Sequence, residues 1–209
     1  MTSGHGHHHP PLQPDDPEPP LEARLLEEAL RSLLIDKGVF SAADLADAME
    51  AMEARGESQG ARIVAKAWVD PPYRRELLEH PAAAIRRFGI DMGVNELCVV
   101  ENTPQVHNVI VCTLCSCYPR MILGVPPAWY KSREYRSRVV REPRTVLAEF
   151  GTELPEDVEV RVHDSNADLR YLVLPLRPAG TEGWSEERLA GLISRDSMIG
   201  VTPARPPAR

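Results

Sequence analysis

The sequence predicts an α+β protein, with an N-terminal helical arm followed by a layered α/β domain that carries a cysteine-rich metal loop. Three observations predict it. Apolar residues recur at spacings of three and four through the first third of the chain. After Gly93 the pattern turns to short β-branched runs mixed with helical stretches. Three of the four cysteines stand together, directly after one of those runs. Length and charge narrow the rest. A chain of 209 residues suits one compact domain, or one domain with an arm. Its 43% of hydrophobic residues can fill a core. The net charge of −7 argues against a general nucleic-acid binder, which needs a basic footprint. No run of about 18 apolar residues is present, so no membrane-spanning helix is expected. Nothing resembles a secretion signal, and four cysteines are too few for a disulfide scaffold. The cytoplasm is the expected compartment.

Residues 1–20 read as a disordered leader, because Pro10, Pro11, Pro14, Pro17, Pro19 and Pro20 block regular hydrogen bonding. His5, His7, His8 and His9 there either bind metal or belong to a tag. Residues 21–60 read as the helical arm. Its first helix runs from Leu21 to Lys37, with Leu21, Leu25, Leu26, Leu30, Leu33 and Leu34 on one stripe, and Gly38 ends it. Ser41 caps a second helix to about Ala54, with Asp44 in its first turn and Leu45, Met49 and Met52 facing inward. The stripe needs a covering surface, either this chain or a partner. Gly56 and Gly60 read as punctuation.

Residues 61–200 form the expected metal-binding catalytic domain. Helices are expected over Ala61–Val69, stopped before Pro71 and Pro72, then over Tyr73–His80 and Ala82–Phe88. Leu97–Val100 and Val106–Val111 read as strands. Glu142-Pro143 opens a helix through Phe150, and Gly151 stops it. Val158–His163 alternates like a half-buried strand, Asp164–Asn166 turns, and Leu169–Leu174 reads as a buried strand. Ser185 caps a last helix to about Ser194. Residues 201–209 read as a loose tail.

The chemistry lies in Val111-Cys112-Thr113-Leu114-Cys115-Ser116-Cys117-Tyr118-Pro119. Thiolates at C-x-x-C-x-C spacing can converge on one ion. A tetrahedral zinc site wants four ligands, and His107 is the one nearby candidate for the fourth. An iron–sulfur cluster wants a fourth cysteine, which only Cys98 could supply. A redox C-x-x-C pair would leave Cys117 without a role. A further solution uses the backbone. With their amides deprotonated, the nitrogens of Ser116 and Cys117 can share a plane with the thiolates of Cys115 and Cys117, and Cys112 can reach an axial position. Such anionic donors suit a small trivalent metal, iron or cobalt. Three ordinary free thiols satisfy the bare spacing equally well.

The stretch Val106–Pro119 resembles the metal-binding region of nitrile hydratase α subunits. So do Leu123–Ser132, Tyr135–Arg144, Leu169–Pro175 and Arg195–Gly200, and the likeness covers roughly Glu22 to Gly200. The resemblance implies that the metal ligands are the thiolates of Cys112, Cys115 and Cys117 with the amides of Ser116 and Cys117. It implies that Cys115 becomes a sulfinic and Cys117 a sulfenic acid. Cys115 and Cys117 are therefore the expected catalytic residues. Thr113 resembles the cobalt form, where the iron form has Ser, so cobalt(III) is expected over iron. The activity implied is hydration of a nitrile to its amide, with the metal as Lewis acid and water or the sulfenate oxygen as nucleophile. Implied partners are a β-type subunit, whose arginines hold the oxidised sulfurs, a cobalt-delivery activator, and a small-molecule nitrile; no nucleic acid and no membrane are expected.

One departure stands out. After Tyr118-Pro119 the family has Trp-Pro, whereas this chain has Arg120-Met121. A guanidinium in place of an indole predicts a larger or more polar substrate, such as a heteroaromatic or nucleoside nitrile, unless Arg120 turns aside to the partner. The same motif serves the γ subunit of thiocyanate hydrolase, which also resembles this chain and whose anionic substrate suits a cation. A non-catalytic cobalt carrier is a further alternative. The basic run Lys131, Arg133, Arg136, Arg138, Arg141 and Arg144 reads as a solvated face, with partner contact as the alternative. Arg170 in an apolar strand should be paired, Cys98 reads as a core thiol, and His163-Asp164 as the start of a turn.

Overall fold

The computed structural model describes residues 19–53 and 55–207. The leader, with its histidines, falls on residues 1–18 and lies outside the described residues but for Pro19 and Pro20; so does the side chain of Met52. Helix α1 (Leu21–Asp36) and helix α2 (Ala42–Glu53) open the described chain. Gly38 follows α1 at φ 68°. Ser41 and Asp44 form a reciprocal cap: Ser41 Oγ accepts from the Asp44 amide at 3.0 Å, and the Asp44 carboxylate accepts from the Ser41 amide at 2.8 Å. The Ser41 amide and hydroxyl, both donating to the Asp44 carboxylate, hold it below its usual range. No residue of α1 is buried. Its leucine stripe is open to solvent in this chain, and Met49, expected inward, is exposed.

Helix α3 (Glu57–Val69) starts four residues before the expected Ala61. Gly60 is not punctuation. It lies inside α3 because a Cβ there would come within 2.6 Å of Met198 Sδ and 2.8 Å of Leu123 Cδ2. Helices α4 (Pro71–Glu79) and α5 (Pro81–Arg86) begin on their prolines, which need no donor at a helix start. Asp70 caps α4 by accepting from the Tyr73 amide at 3.0 Å.

Four strands follow among the described residues. β1 (Glu96–Glu101) pairs in parallel with β4 (Leu169–Leu174), and β2 (Val106–Val111) pairs in parallel with β3 (Glu159–Asp164). Parallel pairing requires crossover connections, and these supply the layers. Leu172, Val173 and Leu174 of β4 and Val109, Ile110 and Val111 of β2 are buried in the core, as are Ile63 and Val64 of α3. The β2–β3 crossover contains three short helices that the sequence pattern does not announce: α6 (Arg120–Leu123), α7 (Ala128–Lys131) and α8 (Arg133–Arg138). Their aromatic rings stack edge to face with Phe150, beyond helix α9 (Pro143–Glu149): Trp129 lies 4.9 Å from Tyr135 and 4.7 Å from Phe150.

The basic run is a brace more than a solvated face. Arg138 is buried, and its guanidinium donates to Glu142 at 2.8 Å and to Glu149 at 2.9 Å. Arg144 donates to the carbonyls of Leu154 and Pro155. Lys131, Arg133 and Arg141 remain exposed.

The last expected helix stops short of Ser194, and a further, unexpected helix follows it. α10 (Glu186–Ala190) gives way at Gly191, and Ser194 caps a separate α11 (Arg195–Ile199) through a reciprocal bond with Ser197. The tail, expected to be loose, is docked through Ala204, and the Arg205 amide donates to the Leu192 carbonyl at 2.8 Å. Gly200 closes α11 at φ 91°, and a Cβ there would lie 2.0 Å from the Asn108 carbonyl oxygen. Left-handed backbone and backbone contact together leave no room for a side chain. Gly200→Ala is therefore expected to destabilise the fold by about 3 kcal/mol, read as a fall in the denaturant midpoint. An unchanged midpoint would contradict this packing.

Candidate metal centre

Strand β2 ends at Val111 and delivers Cys112 to the core edge, where it is buried. From there to Pro119 the chain has no regular structure. Neighbouring elements hold it in place. Asp164 ends β3 directly opposite Val111 in the strand register. Its carboxylate accepts from the Thr113 amide at 2.9 Å and from the Thr113 hydroxyl at 2.6 Å. The Ser165 amide donates to the Val111 carbonyl at 2.7 Å. The buried Tyr130 hydroxyl donates to the Cys117 carbonyl at 2.9 Å. Arg136 donates to the Cys115 carbonyl at 2.6 Å.

Held this way, the loop turns its sulfurs together. Cys112 Sγ lies 3.5 Å from Cys115 Sγ, which lies 3.3 Å from Cys117 Sγ. All three sulfurs fall within 4.8 Å of one another. The Cys115 amide also donates to Cys112 Sγ at 3.3 Å. No disulfide joins them, and Cys115 faces solvent while Cys117 is half-buried. Hydrogen bonds from the Cys117 and Cys112 thiols lower the Cys115 thiol to about 7. Burial, with the same sulfur contacts, pushes Cys117 up to about 12, while the nearby Arg170 charge acts in the opposite direction. One thiolate forms easily and the next does not. A donor set of this kind, soft and convergent, fits a metal cation.

The structure corrects several sequence expectations. His107 is no fourth ligand: its Nε2–H donates to the Gly200 carbonyl at 2.7 Å, and burial keeps the ring neutral by lowering its pKa. Cys98 sits half-buried on β1 outside the sulfur group, and burial raises its thiol. His163 and Asp164 belong to β3 and not to a turn; His163 Nε2 lies 2.8 Å from Asn108 Oδ1. Arg170 is not paired with a carboxylate among the described residues; it donates to the carbonyls of Asn166 and Leu169. Arg120, exposed, and Met121, half-buried, line a cavity of about 420 Å³ beside the loop, with Tyr118, Met92, Arg55 and Arg170. Asp164, Tyr130 and Arg136 escaped the sequence reading as parts of the site. Their signal lies in strand pairing and helix placement, which no local pattern carries.

The fold and its loop define a class: an α+β chain that gathers three free thiols at the end of a buried parallel strand to make a metal site. Within that class, the family model described as nitrile hydratase, alpha chain, matches residues 21–202. The chain belongs to that family. It is 48% identical over 204 residues to the low-molecular-weight cobalt-containing nitrile hydratase subunit alpha of Rhodococcus rhodochrous, covering 96% of this chain and 98% of that one. It is 45% identical over 194 residues to the thiocyanate hydrolase subunit gamma of Thiobacillus thioparus, covering 87% of this chain and 80% of the relative. Among solved structures, a double mutant of the Fe-type nitrile hydratase from Comamonas testosteroni Ni1 superposes with a TM-score of 0.84 at 43% identity, over 91% of this chain and 94% of that one. The fold alone therefore accommodates cobalt-named and iron-named relatives. No helix among the described residues is long and apolar enough to cross a membrane.

The thiol order has a measurable sign. In metal-free protein, Cys115 is below the usual thiol range, so its thiolate is present above about pH 7 and lost below it. Alkylation at Cys115 should rise through pH 7, ahead of Cys117 and Cys98, when followed by peptide mass spectrometry. Equal labelling of all the thiols at pH 7 would contradict the sulfur contacts described.

Proposed function

We propose that this chain is the metal-bearing subunit of a nitrile hydratase that hydrates a nitrile to its amide at a low-spin cobalt(III) centre. The observation that carries the reading is the convergence of the Cys112, Cys115 and Cys117 sulfurs within 4.8 Å of one another. Those three thiolates and the amides of Ser116 and Cys117 would hold the ion. Thr113 and the cobalt-named relatives support cobalt over iron. Bound there, the metal supplies a Lewis acid for the C≡N group. The chain's own residues do the rest. Asp164, Tyr130 and Arg136 fix the loop, so that the sulfurs need little rearrangement on loading. Cys115 and Cys117, as sulfinate and sulfenate, are the proposed catalytic residues, and the Cys117 oxygen either attacks the nitrile carbon or orients the attacking water. A β-type subunit completes the pocket, a cobalt-delivery activator loads it, and the cytoplasm is the proposed compartment.

Arg120 and Met121 are the proposed substrate-pocket residues. The cavity they line, at about 420 Å³, is large for a small aliphatic nitrile and mixes guanidinium groups with methionine and tyrosine. A heteroaromatic or nucleoside nitrile fits that chemistry. One observation favours a second reading. Arg55, Arg120 and Arg170 line the cavity and no carboxylate does, which suits an anion such as thiocyanate.

The test is co-expression with the β-type partner. Metal analysis should give about one cobalt per chain, and mass spectrometry should show sulfinic acid at Cys115 and sulfenic acid at Cys117. A cyano-heterocycle should be hydrated in preference to acrylonitrile. Carbonyl sulfide from thiocyanate, with no amide from nitriles, would establish the second reading. Cobalt uptake with neither product would mark a carrier. Zinc with three reduced thiols in the partnered complex would overturn the metal chemistry.

A further inference from the structure

Three contacts hold the cysteine loop from outside, and they differ in which peptide unit they touch. Asp164 binds Thr113, ahead of the donors. Tyr130 binds the carbonyl of Cys117, which belongs to the Cys117–Tyr118 peptide and so to a nitrogen outside the donor set. Arg136 binds the carbonyl of Cys115, which belongs to the Cys115–Ser116 peptide. That peptide carries the Ser116 nitrogen.

Arg136 is rigidly presented. It sits on α8, which Ser132 caps by accepting from the Tyr135 amide at 3.1 Å. The adjacent Tyr135 is fully buried, and its hydroxyl donates to the Ile110 carbonyl on β2 at 2.8 Å. The helix is thus tied to the strand that leads into the loop. Across 2.6 Å, the guanidinium meets a neutral peptide oxygen, a distance typical of charge-assisted bonds. No carboxylate among the described residues pairs with Arg136, and its Nε is buried without an acceptor. A half-buried cation left without a counter-charge is costly. The cost is offset if the peptide it touches is anionic in the working state. A peptide nitrogen that binds metal as an anion shares its charge with the oxygen of the same unit, and here that oxygen is the one Arg136 holds.

We propose that Arg136 is a positioning residue for the metal centre, its guanidinium balancing the negative charge of the Cys115–Ser116 peptide and so holding the Ser116 nitrogen in the donor set. This rests on the reading above that the Ser116 amide is a ligand. The sequence shows Arg136 only as one of a basic run; its role follows from where α8 places it.

The experiment uses the complex of this chain with its β-type partner, loaded with cobalt. Arg136→Gln keeps a hydrogen-bond donor and removes the charge; Arg136→Lys keeps the charge. Cobalt retained after dialysis against a chelator is measured together with the near-ultraviolet sulfur-to-cobalt absorption. Arg136→Gln should weaken retention by about 10-fold or more and shift the band, while Arg136→Lys should stay within about 2-fold of the unsubstituted complex. The thermal midpoint of the cobalt-free complex should be alike in all three. Retention and band unchanged in Arg136→Gln would overturn the proposal, as would equal loss in Arg136→Lys. If the unsubstituted complex takes up no cobalt, the functional reading falls with it; if it does and Arg136→Gln is indifferent, this proposal alone falls.

Discussion

The parallel register of β2 with β3 is the constraint on which the site depends. It sets Asp164 beside Val111, so the carboxylate meets Thr113 at the first step of the cysteine loop. A slip of one residue would turn every side chain of β3 to the other face and remove the clamp. Burial guards against that slip. Val109, Ile110 and Val111 are fully buried on β2, and the Tyr135 hydroxyl bonds the Ile110 carbonyl from the crossover side. Gly200 presses its backbone against Asn108 on the same strand, and His107 reaches back to the Gly200 carbonyl. The strand is fixed along its length before the loop begins.

Electrostatics then divides the surroundings of the loop. Its floor is apolar, with Cys112 buried against the core. Its rim is cationic: Arg136 faces the main chain, while Arg55, Arg120 and Arg170 border the adjoining cavity. This arrangement opposes the net charge of the chain, which is −7. Positive charge has been concentrated where thiolates and other anions must be held, against the background of the whole molecule.

Elements with local patterns were legible in the sequence. The leucine stripe of α1, the Ser41 cap, the four strands and the C-x-x-C-x-C spacing each announce themselves within a few residues. Where a residue's role is set from a distance, the sequence misled. Gly60 looked like a breaker, yet it is a contact point for Met198, far along the chain. Ser194 looked like a helix end but starts another helix. The short helices α6, α7 and α8 show too few turns to carry a period. Asp164 and Arg136 meet the loop only through pairing and crossover packing, so no reading along one segment could find them. The resemblance to a known family gave the cysteines a metal and a partner's arginines, without naming the residues of this chain that hold the loop.

The leucines of α1 have a consequence for how such a chain must be made. Leu21, Leu25, Leu26 and Leu30 are each more than half exposed on a helix with no buried residue of its own. An uncovered ridge of that kind is what quality-control proteases and chaperones recognise, and its folding equilibrium shifts with the concentration of whatever sits against it. Whatever binds that ridge stabilises the helix more as its own free concentration rises.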